Sequence, residues 1–473
     1  MRMWAQSHLC QKAQRVHSVL AAAFALVFLI LASSQSANAI PAFARKYGLR
    51  CSACHESWPM LNFFGQKFKD NGYQLMNDRD APIWQNPGYW PVTFRILPIW
   101  HRTSTNKEQV DTVPGNGDGG AEQKITSSGF DLSGLDFHTG GTLEKNFSFY
   151  VLPSSDATGA FHFETVMARL DNIKGSPWLN VKLGKFELDN LLSEKRILTL
   201  TGNGGIYQLY HFIPAGDGNI FGQMGDNQLG VEVMGHSAND RTRYSVALLS
   251  SNDGSVGLPY GAESYSTFIT GSQAFDVGKL GVDRVGFYVM AGEAPISWQT
   301  NGGVAIAGSG GNNKGYSREG FVGQFYFGNH ADVTVVTQHG EDNVWFGQGY
   351  GDYIDGVAPF NYVPGVSALP ANARNPTWNG VLVEPHYVVS PQMILLARYE
   401  TIRMSQQSTP TNASNLGNVS TYTAGFRYNP FMTSRAGMAY HAEYNWWHQD
   451  GTSPVSATNL TSSELLLGID FDF

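Results

Sequence analysis

Cysteine is almost missing from this chain, with three in 473 residues. That excludes a disulfide-stapled scaffold. Charge is scarce too: Asp, Glu, Lys and Arg make up 15% of the residues, against roughly 25% in an ordinary soluble domain. Acidic residues outnumber basic ones by 39 to 31, a formal net charge of -8, so no basic footprint for nucleic acid exists. Beyond the N-terminal segment no apolar run approaches the about 20 residues that a membrane-crossing helix needs. No fixed-period repeat supports a solenoid, and no recognisable nucleophile motif supports a hydrolytic site.

The N-terminus carries an export signal. Arg2, Lys12 and Arg15 precede an apolar stretch, Val19–Ala32, and Ala37-Asn38-Ala39 offers a small-residue cleavage site. Residues 1–39 are therefore expected to be a signal peptide rather than an uncleaved anchor. Cutting after Ala39 removes three positive charges, taking the formal charge from -8 to -11. It also removes Cys10, leaving Cys51 and Cys54.

Glycine (53 residues) and aromatics (13%) are what the chain has in quantity. Together with the low charge they fit a transmembrane β-barrel better than a soluble enzyme. The clearest period-2 pattern is ELLLGIDFDF (Glu464–Phe473). Leu465, Leu467, Ile469, Phe471 and Phe473 share one face, and Leu466, Gly468, Asp470 and Asp472 the other. A wall that is apolar outside and polar inside is what a lipid-facing barrel requires, because backbone polar groups in lipid must all be paired. A final aromatic after such a strand resembles the terminal strand of Gram-negative outer-membrane proteins.

Similar runs recur from Val92–Arg102 onward, with fainter ones at Ile206–Ile213 and Thr267–Val277. They predict an antiparallel barrel of about 14–16 strands over residues 90–473. Tight connections such as Val388–Met393 and Tyr428–Arg435 alternate with long ones such as Gly292–Arg318 and Glu341–Pro376. Short turns belong on the periplasmic side and long loops outside. A large exported β-sandwich is the soluble alternative.

The two remaining cysteines stand in CSACH, Cys51–His55, the attachment pattern of a c-type haem. Two thiols would bond to the haem vinyl groups, and His55 would ligate the iron. A zinc site would need further ligands nearby. A thioredoxin-like pair would need a βαβ setting, and a structural disulfide would not need His55. One covalently attached haem c is the expected cofactor. A short helix is expected next, with Pro59 in its first turn, Gly72 at its end, and Leu61, Phe64 and Phe68 on one face. Residues 40–89 are too few to bury a haem alone, so this segment is expected to plug or line the barrel's periplasmic end. Candidates for the second iron ligand are Met76 and His101. Met60 is too close to His55 to reach the opposite ring face easily, and a methionine ligand would raise the potential.

Over Ile40–Leu75, IPAFARKYGLRCSACHESWPMLNFFGQKFKDNGYQL, the chain resembles the fused cytochrome–porin family of outer-membrane proteins, best known as ferrous-iron oxidases. The matching positions are Pro41, Phe43, Ala44 and Arg45, then Pro59, Leu61, Asn62, Phe64, Gly65, Phe68, Lys69, Gly72 and Tyr73. Later positions match only in general barrel character and in LNVKLGKFEL followed by LLSEKRILTLTG (Leu191–Gly202). The resemblance implies a Gram-negative outer-membrane conduit. An extracellular donor, Fe(II) or another, would pass electrons through the haem to a periplasmic cytochrome c or copper protein. Acidic loop residues Glu341, Asp342, Asp352 and Asp355 could attract Fe(II), though hydrated carboxylates are the commoner explanation. A diffusion porin with a structural or sensory haem is the alternative.

Overall fold

A computed structural model describes residues 42–47, 49–57, 60–75, 92–115, 121–155, 159–188, 209, 227–250, 265–295, 300–301, 304–305, 313–342, 375, 377–404, 418–432, 436–450 and 460–472. The expected export signal (residues 1–39), Pro59, Met76, Asp352 and Asp355 lie outside them.

Sixteen strands close into one barrel. In chain order they are β1 (Val92–Val110), β2 (Ala121–Glu144), β3 (Phe147–Ser155), β4 (Phe161–Leu170), β5 (Asn180–Phe186), β6 (Gln228–His236), β7 (Thr242–Ser250) and β8 (Tyr265–Asp276). There follow β9 (Val282–Pro295), β10 (Asn313–Tyr326), β11 (Ala331–Asp342), β12 (Thr377–Ser390), β13 (Met393–Met404), β14 (Val419–Met432), β15 (Gly437–Gln449) and β16 (Leu460–Asp472). Each pairs antiparallel with its sequence neighbour, and β16 closes on β1 through Leu466↔His101 and Asp472↔Arg95. Of the runs expected to be strands, Ile206–Ile213 alone is not one of the sixteen; apart from Leu209 it lies outside the described residues.

The alternation read in the last strand sets the wall. Glu464, Leu466, Asp470 and Asp472 are buried inward, whereas Leu467, Ile469 and Phe471 are exposed outward. Lipid is the medium in which such an outer face is stable. Toward the long-loop end, Tyr399, Tyr422 and Trp446 meet at tilted angles on the outer face of three adjacent strands, with centroids 5.0 and 5.4 Å apart. This is the aromatic belt of a membrane interface.

Seven short turns lie at one end, together with the start of β1 and the end of β16. The two-residue turn between β2 and β3 is turned by Asn146 at φ 63°, a left-handed conformation that asparagine tolerates. The longer β5–β6, β7–β8, β9–β10, β11–β12, β13–β14 and β15–β16 connections all lie at the other end. By the barrel rule the short-turn end is periplasmic.

The N-terminal segment contributes three helices: α1 (Ala42–Tyr47), α2 (Cys51–Cys54) and α3 (Phe63–Asp70). Between α2 and α3, His55–Ser57 pairs antiparallel with Met60–Leu61. The helix expected to start at Pro59 starts later because Asn62 caps it, accepting from the Gly65 N–H at 2.9 Å. It ends as expected near Gly72, which takes φ 69°.

Candidate functional site

The cysteine turn is held by α3. Asn62 donates its side-chain amide to the Ser52 and Ala53 carbonyls at 3.3 and 3.1 Å, and its backbone N–H to the Cys54 carbonyl at 2.9 Å. Gly65 lies so close that a Cβ there would fall 2.0 Å from the Cys54 carbonyl oxygen. One helix thus clasps the turn by its cap and by its lack of a side chain.

The segment's own core is aromatic. Phe43 stacks on Tyr73 at 4.9 Å and meets Phe68 edge-on at 5.3 Å, while Tyr47 meets Phe68 edge-on at 5.6 Å. Tyr73 stacks in turn on Tyr150 of β3 at 5.8 Å, and the Tyr150 hydroxyl lies 2.6 Å from His138 Nδ1 on β2. The small core is therefore continuous with the barrel wall.

Charge fixes the segment on one side. Arg169 of β4 donates to the Lys69 and Asp70 carbonyls at 2.9 and 2.7 Å and to Asp171 Oδ1 at 2.6 Å. Arg243 of β7 pairs with the Asp70 carboxylate, which also accepts from Gln66 at 2.7 Å. Lys69 reaches Glu187 at 3.0 Å. On the other side Glu56 is hydrogen-bonded to Tyr326 and lies near Asp332 and His386. Burial first, and the neighbouring Asp332 carboxylate second, push its carboxyl up to about 7. Tyr326 ends β10 and Asp332 begins β11, so the segment spans the lumen at its periplasmic end.

Cys51–Cys54 forms one helical turn, which puts positions 51 and 54 on the same face. Cys54 is half-buried and outside any disulfide. Burial pushes its thiol up to about 11, the reverse of the depressed value that makes a redox-active thiolate. Among the described residues no group of three or more His, Cys, Asp or Glu side chains is placed to hold a metal ion. Beside the turn, Phe63 and Phe64 at the start of α3 keep 43% and 37% of their surface exposed. Two uncovered phenyl rings next to a Cys-x-x-Cys-His turn are apolar surface that a flat macrocycle anchored there would cover. The residues present fit a haem c.

His101 faces the lumen, but the structure does not bring it to the pentapeptide. It pairs with Gly129 on β2, whereas the segment meets β2 near Gly140 and Thr142. Eleven residues of strand separate Gly129 from Gly140, on the order of 35 Å at the usual rise. Met60 is fully buried. Asp342 is no loop carboxylate: it ends β11, is fully buried, and pairs with Arg318 at 2.7 Å. Glu341 accepts from Asn375 at 2.7 Å.

Above the segment the inner wall carries large buried apolar side chains beside buried ion pairs such as Arg398 with Glu384 and Glu443. Phe186, Phe268, Tyr288, Trp378, Leu382 and Ile402 point inward with 0–1% exposure, in one apolar cluster that extends to Phe68 and Tyr73. Leu209, from the connection between β5 and β6, crosses to the far wall. Its N–H donates to Glu400 at 2.6 Å, and its carbonyl accepts from Gln338 at 3.1 Å. Sequence reading missed this cluster, and its one signal was the unbroken apolar run Val381-Leu382-Val383, where a half-wet strand would alternate.

No protein-family profile and no curated protein matches the chain. Solved structures do. An anion-selective porin from Comamonas acidovorans has a TM-score of 0.48 at 13% identity, covering 81% of this chain and 99% of that one. The outer membrane channel DcaP of Acinetobacter baumannii has a TM-score of 0.45 at 13% identity, covering 81% and 97%. OmpT of Vibrio cholerae has a TM-score of 0.43 at 12% identity, covering 81% and 98%. The class rests on the closed strand order and the apolar outer wall: this is a 16-stranded β-barrel of the Gram-negative outer membrane, with porin architecture.

Proposed function

We propose that this barrel carries single electrons rather than solutes, taking them from an extracellular donor, Fe(II) foremost, through one haem c to a periplasmic acceptor. One observation supports the reading: a Cys-x-x-Cys-His turn is docked inside a barrel whose lumen above it carries a buried cluster of large apolar side chains. A diffusion channel needs a water-filled polar interior, and Trp378, Tyr288 and Phe268 occupy that space here. Porin architecture by itself favours the other reading, a diffusion pore with a structural or sensory haem.

When bound, the haem would supply a one-electron iron couple, reduced as the donor is oxidised and reoxidised by the acceptor. Cys51 and Cys54 would hold it covalently and His55 would ligate its iron. Asn62 and Gly65 hold the turn that carries all three. Phe63 and Phe64 offer apolar cover, and the packed cluster keeps bulk water from above. The segment lies at the short-turn end, the side from which a soluble periplasmic carrier would approach. Ferric product would form outside the cell, where its precipitation does no harm to the periplasm.

Stopped-flow mixing of the haem-loaded protein with Fe(II), read at the haem absorption band, tests the proposal beside conductance in planar bilayers. Rapid reduction with negligible conductance is the expected result. A protein that Fe(II) leaves oxidised, while small solutes pass through it, would establish the diffusion reading instead.

A further inference from the structure

The lipid-facing wall is not smooth. Across β8–β11 an apolar furrow of about 670 Å³ opens outward, lined by Gly271, Val285, Phe287, Phe321, Gly323 and Val335. Glycine makes it on two strands. The Phe287 ring lies against Gly271, within 2.9 Å of where a Cβ would stand, and the Phe325 ring against Gly323, within 2.6 Å. Phe321 stands proud beside the furrow with 70% of its surface exposed.

The furrow's end at β7 and β8 is polar. Thr242 and Gln273 line it, joined at 2.6 Å. Just beyond, Arg241 and Lys279 are exposed on adjacent short turns. Arg241 meets the exposed Asp276 carboxylate at 3.5 Å, an ion pair too solvated to hold it strongly. Around these cations Val277, Leu280 and Phe327 are also exposed. Apolar residues beside Lys and Arg at a rim are the pattern of a headgroup interface.

The geometry points to a specific phospholipid site: one acyl chain of an anionic phospholipid lies in the furrow, and its phosphate meets Arg241 and Lys279. The furrow faces hydrocarbon and crosses the strands, its lining falling in the rows Gln273–Val285–Gly323–Val335 and Gly271–Phe287–Phe321–Thr337, with its β7–β8 end beside the cationic rim, so an acyl chain tethered to an anionic headgroup matches both its apolar lining and its charge. Its volume lies within the range of small-molecule sites, and clustered cations attract anionic headgroups. This site is independent of the haem reading.

Native mass spectrometry of the purified full-length protein, exchanged into nanodiscs of phosphatidylglycerol or phosphatidylethanolamine, tests it. The wild type should retain phosphatidylglycerol several-fold more than phosphatidylethanolamine. Val335→Trp should abolish retention by filling the furrow, and the Arg241→Gln/Lys279→Gln pair should erase the preference. Leu467→Trp, on another part of the outer wall, should behave as the wild type and serves as the folding control. Equal retention by Val335→Trp, or no preference in the wild type, would overturn the proposal. So would crosslinks through position 335 to a second copy, which would make the furrow a subunit interface.

Discussion

The firmest consequence of the structure concerns the lock between Asp70 and Arg243. Asp70 is 6% exposed and Arg243 5% exposed, and the pair joins two parts of the chain that no covalent turn brings together. Breaking a buried pair by removing one partner costs about 3–5 kcal/mol, because the survivor keeps its desolvation penalty without its compensation. In Arg243→Gln, Gln66 and the Arg169 guanidinium still hold neighbouring groups, so the lower end of that range, about 3 kcal/mol, is the better figure. At about 1.4 kcal/mol per tenfold, the undocked fraction of the segment rises roughly a hundredfold. The barrel should survive, since β7 keeps its ladders to β6 and β8. Limited proteolysis of the folded protein in detergent reads the effect: cleavage within residues 42–75 should accelerate about a hundredfold, while unheated gel mobility still reports a closed barrel. Asp70→Asn should behave similarly, and the double variant should cost less than the sum of the two. A segment protected as in the wild type would refute the claim that this pair holds it in the lumen.

Other outcomes follow from single positions. Gly65→Ala forces a methyl group into the Cys54 carbonyl; haem per protein by the pyridine haemochrome assay should fall while the barrel still forms. Trp378→Ala removes the largest fully buried side chain of the lumen and should cost about 3–5 kcal/mol in urea unfolding, with a measurable rise in bilayer conductance. Asp240, in the β6–β7 turn, is held above the ordinary carboxylate range chiefly by burial and then by Asp70. Its raised folded value means the native state binds the extra proton. That contribution to stability is present in acid and is lost as pH rises from about 4 through the folded value. The unfolding midpoint of the wild type should therefore fall relative to Asp240→Asn over that interval, and parallel profiles would contradict the assignment.

The sequence showed the wall more clearly than the interior, for a physical reason. A strand with one face in lipid and one in the lumen alternates, and Glu464–Phe473 alternates cleanly enough to fix both faces. The turn lengths then give the orientation. Strand number was less legible because Ile206–Ile213 is as apolar as a strand, yet its one described residue, Leu209, lies across the lumen against Glu400 and Gln338. His101 shows the other limit: alternation places it on the correct face but says nothing of height, and height is what separates it from the segment. The lock residues Arg169 and Arg243 read as ordinary lumen polarity, because their partners Lys69 and Asp70 lie about a hundred or more residues away and only the folded barrel brings them together.

Closure also explains why a segment so short can be ordered. About thirty residues around α1–α3 bury little by themselves, and chains of that size rarely fold without a staple. Here the staple is the wall. Tyr150 extends the Phe43–Phe68–Tyr73 cluster, while Arg169 donates to the last carbonyls of α3, Asp70 and Lys69, the latter also accepting from the Gly72 N–H. The same wall supplies the charges that fix where the segment sits, from Arg243 on one side to Asp332 and His386 on the other. A cysteine turn tethered at both flanks in this way has little freedom to tilt, so the orientation of anything bonded to it is set by the barrel rather than by the segment's own marginal core.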